Sequence, residues 1–271
     1  MTNSTRAAIP QNRWQKQNVA GLPLLMSPLL AQQEGLIHAF TTRAGGQSKA
    51  PMQSFNLGRH IDDTAAREDA MANRERLCQA LGADYSALTV PGQVHSNRVV
   101  SAEEKSFSDV DSVATNLTGV PILLHFADCV PIIIYDPKAR AIAVVHAGWK
   151  GTAASIVKNA VKFLSDNYGS KPVNLVAAVG PAIGPCCYPT AKEVADKLAA
   201  TASGGDTFIQ WHEQPRPDLK GLNAAQLSDL GVEKIDVTEM CTACEPAIFY
   251  SHRQSGGKTG RQGAIAFMQN L

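Results

Sequence analysis

What this chain lacks narrows its function before any motif is read. No stretch reaches the roughly 18 consecutive apolar residues needed to cross a bilayer, so a membrane-spanning protein is not expected. The N-terminal MTNSTRAAIPQNRWQKQNVA has no continuous apolar segment of the kind a secretory signal uses, which points to a cytoplasmic protein. Charge of one sign is not in excess. The 25 basic and 24 acidic residues leave a net charge of +1, too weak a field to gather nucleic acid or an anionic membrane. Six cysteines in 271 residues are too sparse for a disulfide scaffold, and a reducing compartment keeps them as thiols. H-x-H pairs, needed in number by a true multicopper oxidase, do not occur. Nor does the H-x-E and P-C-x-x-C signature of zinc nucleobase deaminases.

What is present reads as a soluble globular enzyme, with 44% hydrophobic and 18% charged residues. A polar, aperiodic arm is expected over residues 1–20 and a single domain over 21–271. LIHAFTTRAGG reads as a strand entering a glycine turn, and DDTAAREDAMANRERLCQALG as a helix closed by Gly82, with Cys78 in the core. ALTVPGQVHSNRVV, VPILLHF, VPIIIYD and AIAVVHAG are rich in Val and Ile. The last three are apolar on both faces, as strands covered on each side should be. GTAASIVKNAVKFLSDNYG has helical spacing, VNLVAAVGPAIG is another buried strand, and TAKEVADKLAATA and LNAAQLSDLG are helices. KIDVT, IFYSHR and AIAFMQN read as short strands. Together these predict a layered mixed α/β fold, with central mixed β-sheets flanked by helices.

The most informative stretch is GVPILLHFADCVPIIIYDPKARAIAVVHAGWKG. If VPIIIYD and AIAVVHAG form a hairpin with Pro137 and Lys138 at its tip, Asp136 faces Ala139 and the register sets Cys129 opposite His146. Opposed residues project from one face about 5 Å apart, close enough to share a proton or an ion. GQVHSNRVV puts His95 on a neighbouring β-like stretch. Two imidazoles and a thiolate make a plausible zinc site with one position open, and the same donors also suit copper. A packed cysteine and two hydrogen-bonded histidines are the alternative. Two other motifs are set aside: SGGKTGR lacks the leading glycine and following helix of a phosphate loop, and no second cysteine pair follows Cys241 and Cys244.

TTRAGGQS, FNLG, NRERL, GQVHSNRV, DSVATN, ADCVPIIIYD, HAGWKGT, GPAIGPCCY, DLKGLN and FYSHRQSGGKTGR occur in that order. From about residue 35 onward the chain resembles the YfiH/laccase-domain family, also described as purine nucleoside phosphorylase, polyphenol oxidase or peptidoglycan-editing-factor proteins. The resemblance implies a zinc site at His95, Cys129 and His146, and a layered fold akin to that of cysteine-hydrolase-like toxins. It also implies phosphorolysis of adenosine, inosine, guanosine or methylthioadenosine, with adenosine deamination. Copper-dependent phenol oxidation, or editing of cell-wall precursors with Cys129 as nucleophile and His146 as base, are the alternatives. The implied partners are a purine nucleoside and phosphate. Arg43, Arg253 and Arg261 lie in matching glycine-rich segments and are candidates for phosphate. Asn56 is a candidate substrate contact or turn cap. Asp128 could move protons in deamination, although its reading as a turn-fixing acceptor is the stronger, and Trp149 could stack on a base, although a place buried beneath the site is the stronger reading.

Overall fold

The computed structural model, described over residues 14–58, 63–104 and 106–270, contains two β-sheets packed face to face. The first has the order β1-β2-β3-β13-β6 and is antiparallel throughout. Its strands are β1 (Gln15–Val19), β2 (Leu22–Met26), β3 (Leu36–Thr41), β6 (Ile122–Phe126) and β13 (Gln262–Met268). The second has the order β12-β9-β7-β8-β5-β4. It is built from β4 (Val99–Ser101), β5 (Ser112–Thr115), β7 (Val130–Asp136), β8 (Ala141–Ala147), β9 (Val176–Val179) and β12 (Lys234–Val237). Its two edge pairs are parallel and the pairs between them antiparallel. A two-residue pair, β10 (Ile209–Gln210) and β11 (Arg216–Pro217), stands apart.

The helices are α1 (Pro28–Ala31), α2 (Thr64–Leu81), α3 (Trp149–Ala153), α4 (Ile156–Tyr168), α5 (Lys192–Ala199) and α6 (Leu219–Asp229). The layered mixed α/β architecture predicted from the sequence is the one observed. Its cause is visible in the central hairpin. Ile132, Ile134, Ala143 and Val145 meet the apolar stripe of α4 (Val157, Ala160, Val161, Leu164) and Leu222 of α6. Ile133, Tyr135, Ile142 and Val144 point the other way, into Leu124, Phe126 and Ala264 of the first sheet. Each such large side chain contributes about 1.5–3 kcal/mol by leaving water. On the far side of the first sheet, α2 packs Leu77 and Cys78 against Leu24, Leu123 and Ile265. Asp63 caps its first turn and Gly82, at φ +71°, closes it.

Several expectations are corrected. Within the arm expected over residues 1–20, Gln15–Val19 pair with β2 as a strand, and residues 1–13 lie outside the described ones. The expected helix over 151–169 is divided at Ser155, whose φ of +56° separates α3 from α4. IFYSHR is not a strand, because its amides serve side chains: Tyr250 N–H donates to Gln262 and Arg253 N–H to Asp128. GQVHSN is likewise a loop, with only Val99–Ser101 in a ladder. In the β7/β8 hairpin Asp136 pairs with Ala141 and Pro131 with His146, a register two residues from the predicted one. The turn holds four residues, and Asp136 Oδ1 accepts from the amides of Lys138 and Ala139. A slip of two preserves the face, so Cys129 and His146 still project to the same side.

Candidate metal centre

His146 is the penultimate residue of β8, on the inter-sheet face, Cys129 immediately precedes β7, and His95 lies on the loop before β4. The hairpin brings Cys129 and His146 together as neighbours on a diagonal. His95 needs a separate device, supplied by Asp111, fully buried just ahead of β5. Its carboxylate accepts from the amides of Val94 (3.1 Å), His95 (3.0 Å) and Ser96 (2.7 Å), and from Ser96 Oγ. The loop pays for this wrap in backbone angle, with Gln93 at φ +53° and His95 at φ +64°. Gln93 completes the anchor, its amide side chain accepting from His125 N–H and donating to His125 C=O.

The same carboxylate meets His146 Nδ1 at 2.8 Å. A carboxylate only accepts, so Nδ1 carries a proton and Nε2 is the nitrogen left for the centre. Cys129 Sγ stands 3.6 Å from His95 Nε2, and one donor atom from each of the three residues lies within 4.8 Å of the others. Gly148 makes room for this convergence: a Cβ there would fall 2.8 Å from His95 Cδ2 and 3.0 Å from Cys129 Sγ.

Electrostatics separate the pair. Burial pushes the Cys129 thiol up, but the His146 charge and hydrogen bonds from both histidines override it and hold the thiol below its ordinary value. Burial pushes His146 down, and the Cys129 charge and Asp111 more than reverse it. Asp111 is opposed by burial and held at about 2 chiefly by its bond to His146. Without an ion the pair is therefore a thiolate beside an imidazolium, and an ion taken by His146 Nε2 would displace the proton there. Two nitrogens and one sulfur at this spacing fit one zinc ion with a position to spare.

The three donors open into a cleft of about 560 Å³, also lined by Asn56, Trp149, Tyr188, Arg253 and Arg261. Arg261 is half-buried, and among the described residues its guanidinium bonds through Nη1 to the carbonyls of Thr259 and Gly260. Asn56 is buried, and its Oδ1 accepts from the amides of Gly58 and Arg261, making it a loop brace at the cleft wall. Arg253 is exposed and stacks over the Tyr188 ring. Arg43 does not line the cleft. Its guanidinium is tied to the carbonyls of Gln53 and Pro246 and lies over Tyr250, a place where it braces two loops. Trp149 is half-buried in the wall rather than hidden beneath the site. Asp128 accepts from Thr242 Oγ1 (2.6 Å) and Arg253 N–H (2.7 Å), the behaviour of a structural acceptor.

Asp111 and Gly148 were not singled out from the sequence. The faint signals were an acid directly before a buried strand in SDVDSVAT, and the glycine after the histidine in HAGW.

A family model described as multi-copper polyphenol oxidoreductase laccase matches residues 37–269. Purine nucleoside phosphorylase YlmD of Bacillus subtilis is 36% identical over 241 residues, covering 83% of this chain and 86% of that protein. A purine nucleoside phosphorylase of Deinococcus radiodurans is 38% identical over 245 residues, covering 90% and 92%. The crystal structure of YlmD from Geobacillus stearothermophilus superimposes with a TM-score of 0.84 at 34% identity, covering 95% of this chain and 99% of that one.

Proposed function

This chain belongs to the family described as multi-copper polyphenol oxidoreductase laccase, and on that premise we propose that it is a zinc-dependent purine nucleoside phosphorylase. The observation that carries this reading is the Asp111-braced set of His95, Cys129 and His146 in a cleft that also presents Arg253 and Arg261. Three donors suit one ion. A multi-copper arrangement needs more imidazoles, and among the described residues the other clustered donors are four cysteines. The relatives named purine nucleoside phosphorylases supply the substrate class, a purine nucleoside with phosphate.

Phosphorolysis joins a phosphate oxygen to the sugar C1′ and breaks the bond from C1′ to the purine nitrogen. The site must therefore collect an anion and steady a leaving base. Zinc, when bound, supplies Lewis acidity to an oxygen beside it. Arg261 meets phosphate with the donors that Thr259 and Gly260 leave uncommitted, and Asn56 fixes its backbone. Arg253 adds a second cation at the rim, while Trp149 and Tyr188 offer flat faces to a purine. Asp128 is the one carboxylate among the described residues lining the cleft, and both its oxygens are engaged. Adenosine deamination, which needs a carboxylate to move protons, is for that reason the minor reaction. A cytoplasmic setting would keep the thiolate ligand reduced.

The test is product analysis. Zinc-loaded protein given adenosine, inosine or guanosine with phosphate is expected to release free base and ribose 1-phosphate, and Cys129→Ser to release neither. Metal-loaded wild type that turns over none of the three sinks the reading. The Asp111, His146 and Cys129 chain also has the order of a nucleophile triad, which favours a thiol hydrolase as second reading. An acyl adduct on Cys129 during turnover of a muropeptide amide would select it.

A further inference from the structure

Four other cysteines, outside the cleft lining, converge about one point. Cys186 and Cys187 belong to the turn Pro185–Cys187 that follows β9, and Cys241 and Cys244 to the C-T-A-C turn that follows β12. The C-x-x-C motif does have a second cysteine pair, lying before it in the chain rather than after it. Cys244 Sγ stands 3.5 Å from Cys186 Sγ and 3.4 Å from Cys187 Sγ, and all four sulfurs lie within 4.8 Å of one another. Four sulfurs held tetrahedrally about 2.3 Å from a zinc ion are about 3.8 Å apart.

The backbone around Cys241 converges on its sulfur. Gly184 N–H donates to Cys241 Sγ at 3.2 Å, and the amides of Ala243 and Cys244 point at the same sulfur. Amides folded onto the first cysteine of a C-x-x-C turn favour its thiolate over its thiol. Arg216 fixes the other turn through the carbonyls of Pro185 and Cys186. We propose that Cys186, Cys187, Cys241 and Cys244 form a second, structural metal site that takes one zinc ion as four thiolates, releasing their protons on binding.

The site ties together two loops that set the cleft wall. Thr242, inside the C-T-A-C turn, donates its amide to Ala182 C=O and its hydroxyl to Asp128. Asp128 in turn holds the amide of Arg253, and the Cys186 turn leads directly into Tyr188. The ion fastens the wall; the chemistry belongs to the other centre.

The experiment uses the full chain, expressed with zinc and purified under reductant. Elemental analysis is expected to give two zinc ions per wild-type chain, one in Cys129→Ser/His146→Ala and one in Cys241→Ser/Cys244→Ser. Cobalt(II) added to metal-stripped Cys129→Ser/His146→Ala should show the strong near-ultraviolet charge-transfer absorption of a tetrathiolate ion. Should the variants fail to fold, cobalt titration of stripped wild type must still reveal that absorption as one of two classes of site. No zinc in the zinc-replete Cys129→Ser/His146→Ala variant, cobalt bands lacking tetrathiolate character, or a disulfide among the four in reduced protein would overturn the proposal.

Discussion

Asp111 shows how one side chain can carry a site it does not enter. It holds the His95 loop by three amides and sets the ring of His146, so two of three donors depend on it. Asp111→Asn keeps the size but exchanges an acceptor for a donor at one oxygen. Zinc affinity, measured by competition with a chromophoric chelator, is expected to fall about 10–100-fold, the usual loss when a metal ligand's partner is changed. Gly148→Ala places a methyl against His95 and Cys129 and should lower zinc content while the thermal melting of the stripped protein barely moves. Cys129 and His146 stand out as candidates in the sequence because a thiol and an imidazole at the rims of apolar runs are conspicuous, whereas His95 reads as part of a β-like stretch that is a loop. Asp111 does not stand out, since nothing in a sequence tells which carboxylate will receive a loop's amides.

At the scale of elements, hydrophobic pattern located the central strands and the longer helices but not β1, β2, α1 or β5, while ends and registers followed side-chain hydrogen bonds that no periodicity reports. The β7/β8 register moved by two because Asp136 caps a four-residue turn. GQVHSN and IFYSHR look like strands by composition, yet their amides are taken by Asp111, Asp128 and Gln262. One inter-element contact makes a pH prediction. His38 of β3 is buried, and its Nε2 accepts the amide of Ser27, the N-cap of α1. Burial pushes its pKa from 6.5 to about 4. The folded state thus resists a proton that the unfolded chain accepts, so this contribution is whole above pH 6.5 and drains away as pH falls toward 4. About 3 kcal/mol of stability should go with it. Urea unfolding between pH 7 and pH 4 reads the loss, and His38→Gln should flatten the curve in that interval.

For the whole molecule, the pairing of two sheets decides where chemistry can occur. His95, Cys129, His146 and Asp111 all belong to the second sheet or the loops feeding it, whereas Arg261 leads into β13 of the first. Leu124, fully buried on β6, is one of the side chains that hold the sheets together. Leu124→Ala should cost about 2–5 kcal/mol by leaving a cavity. It is also expected to raise KM for phosphate while zinc content stays at the wild-type level, a split measurable by steady-state kinetics beside elemental analysis. On the proposed function the cleft is in this sense a pair of jaws, one bearing the candidate metal centre and the other Arg261. Their bite is set by aliphatic packing some distance away, so an alteration that never touches a reactant can still retune the enzyme by letting the jaws slide.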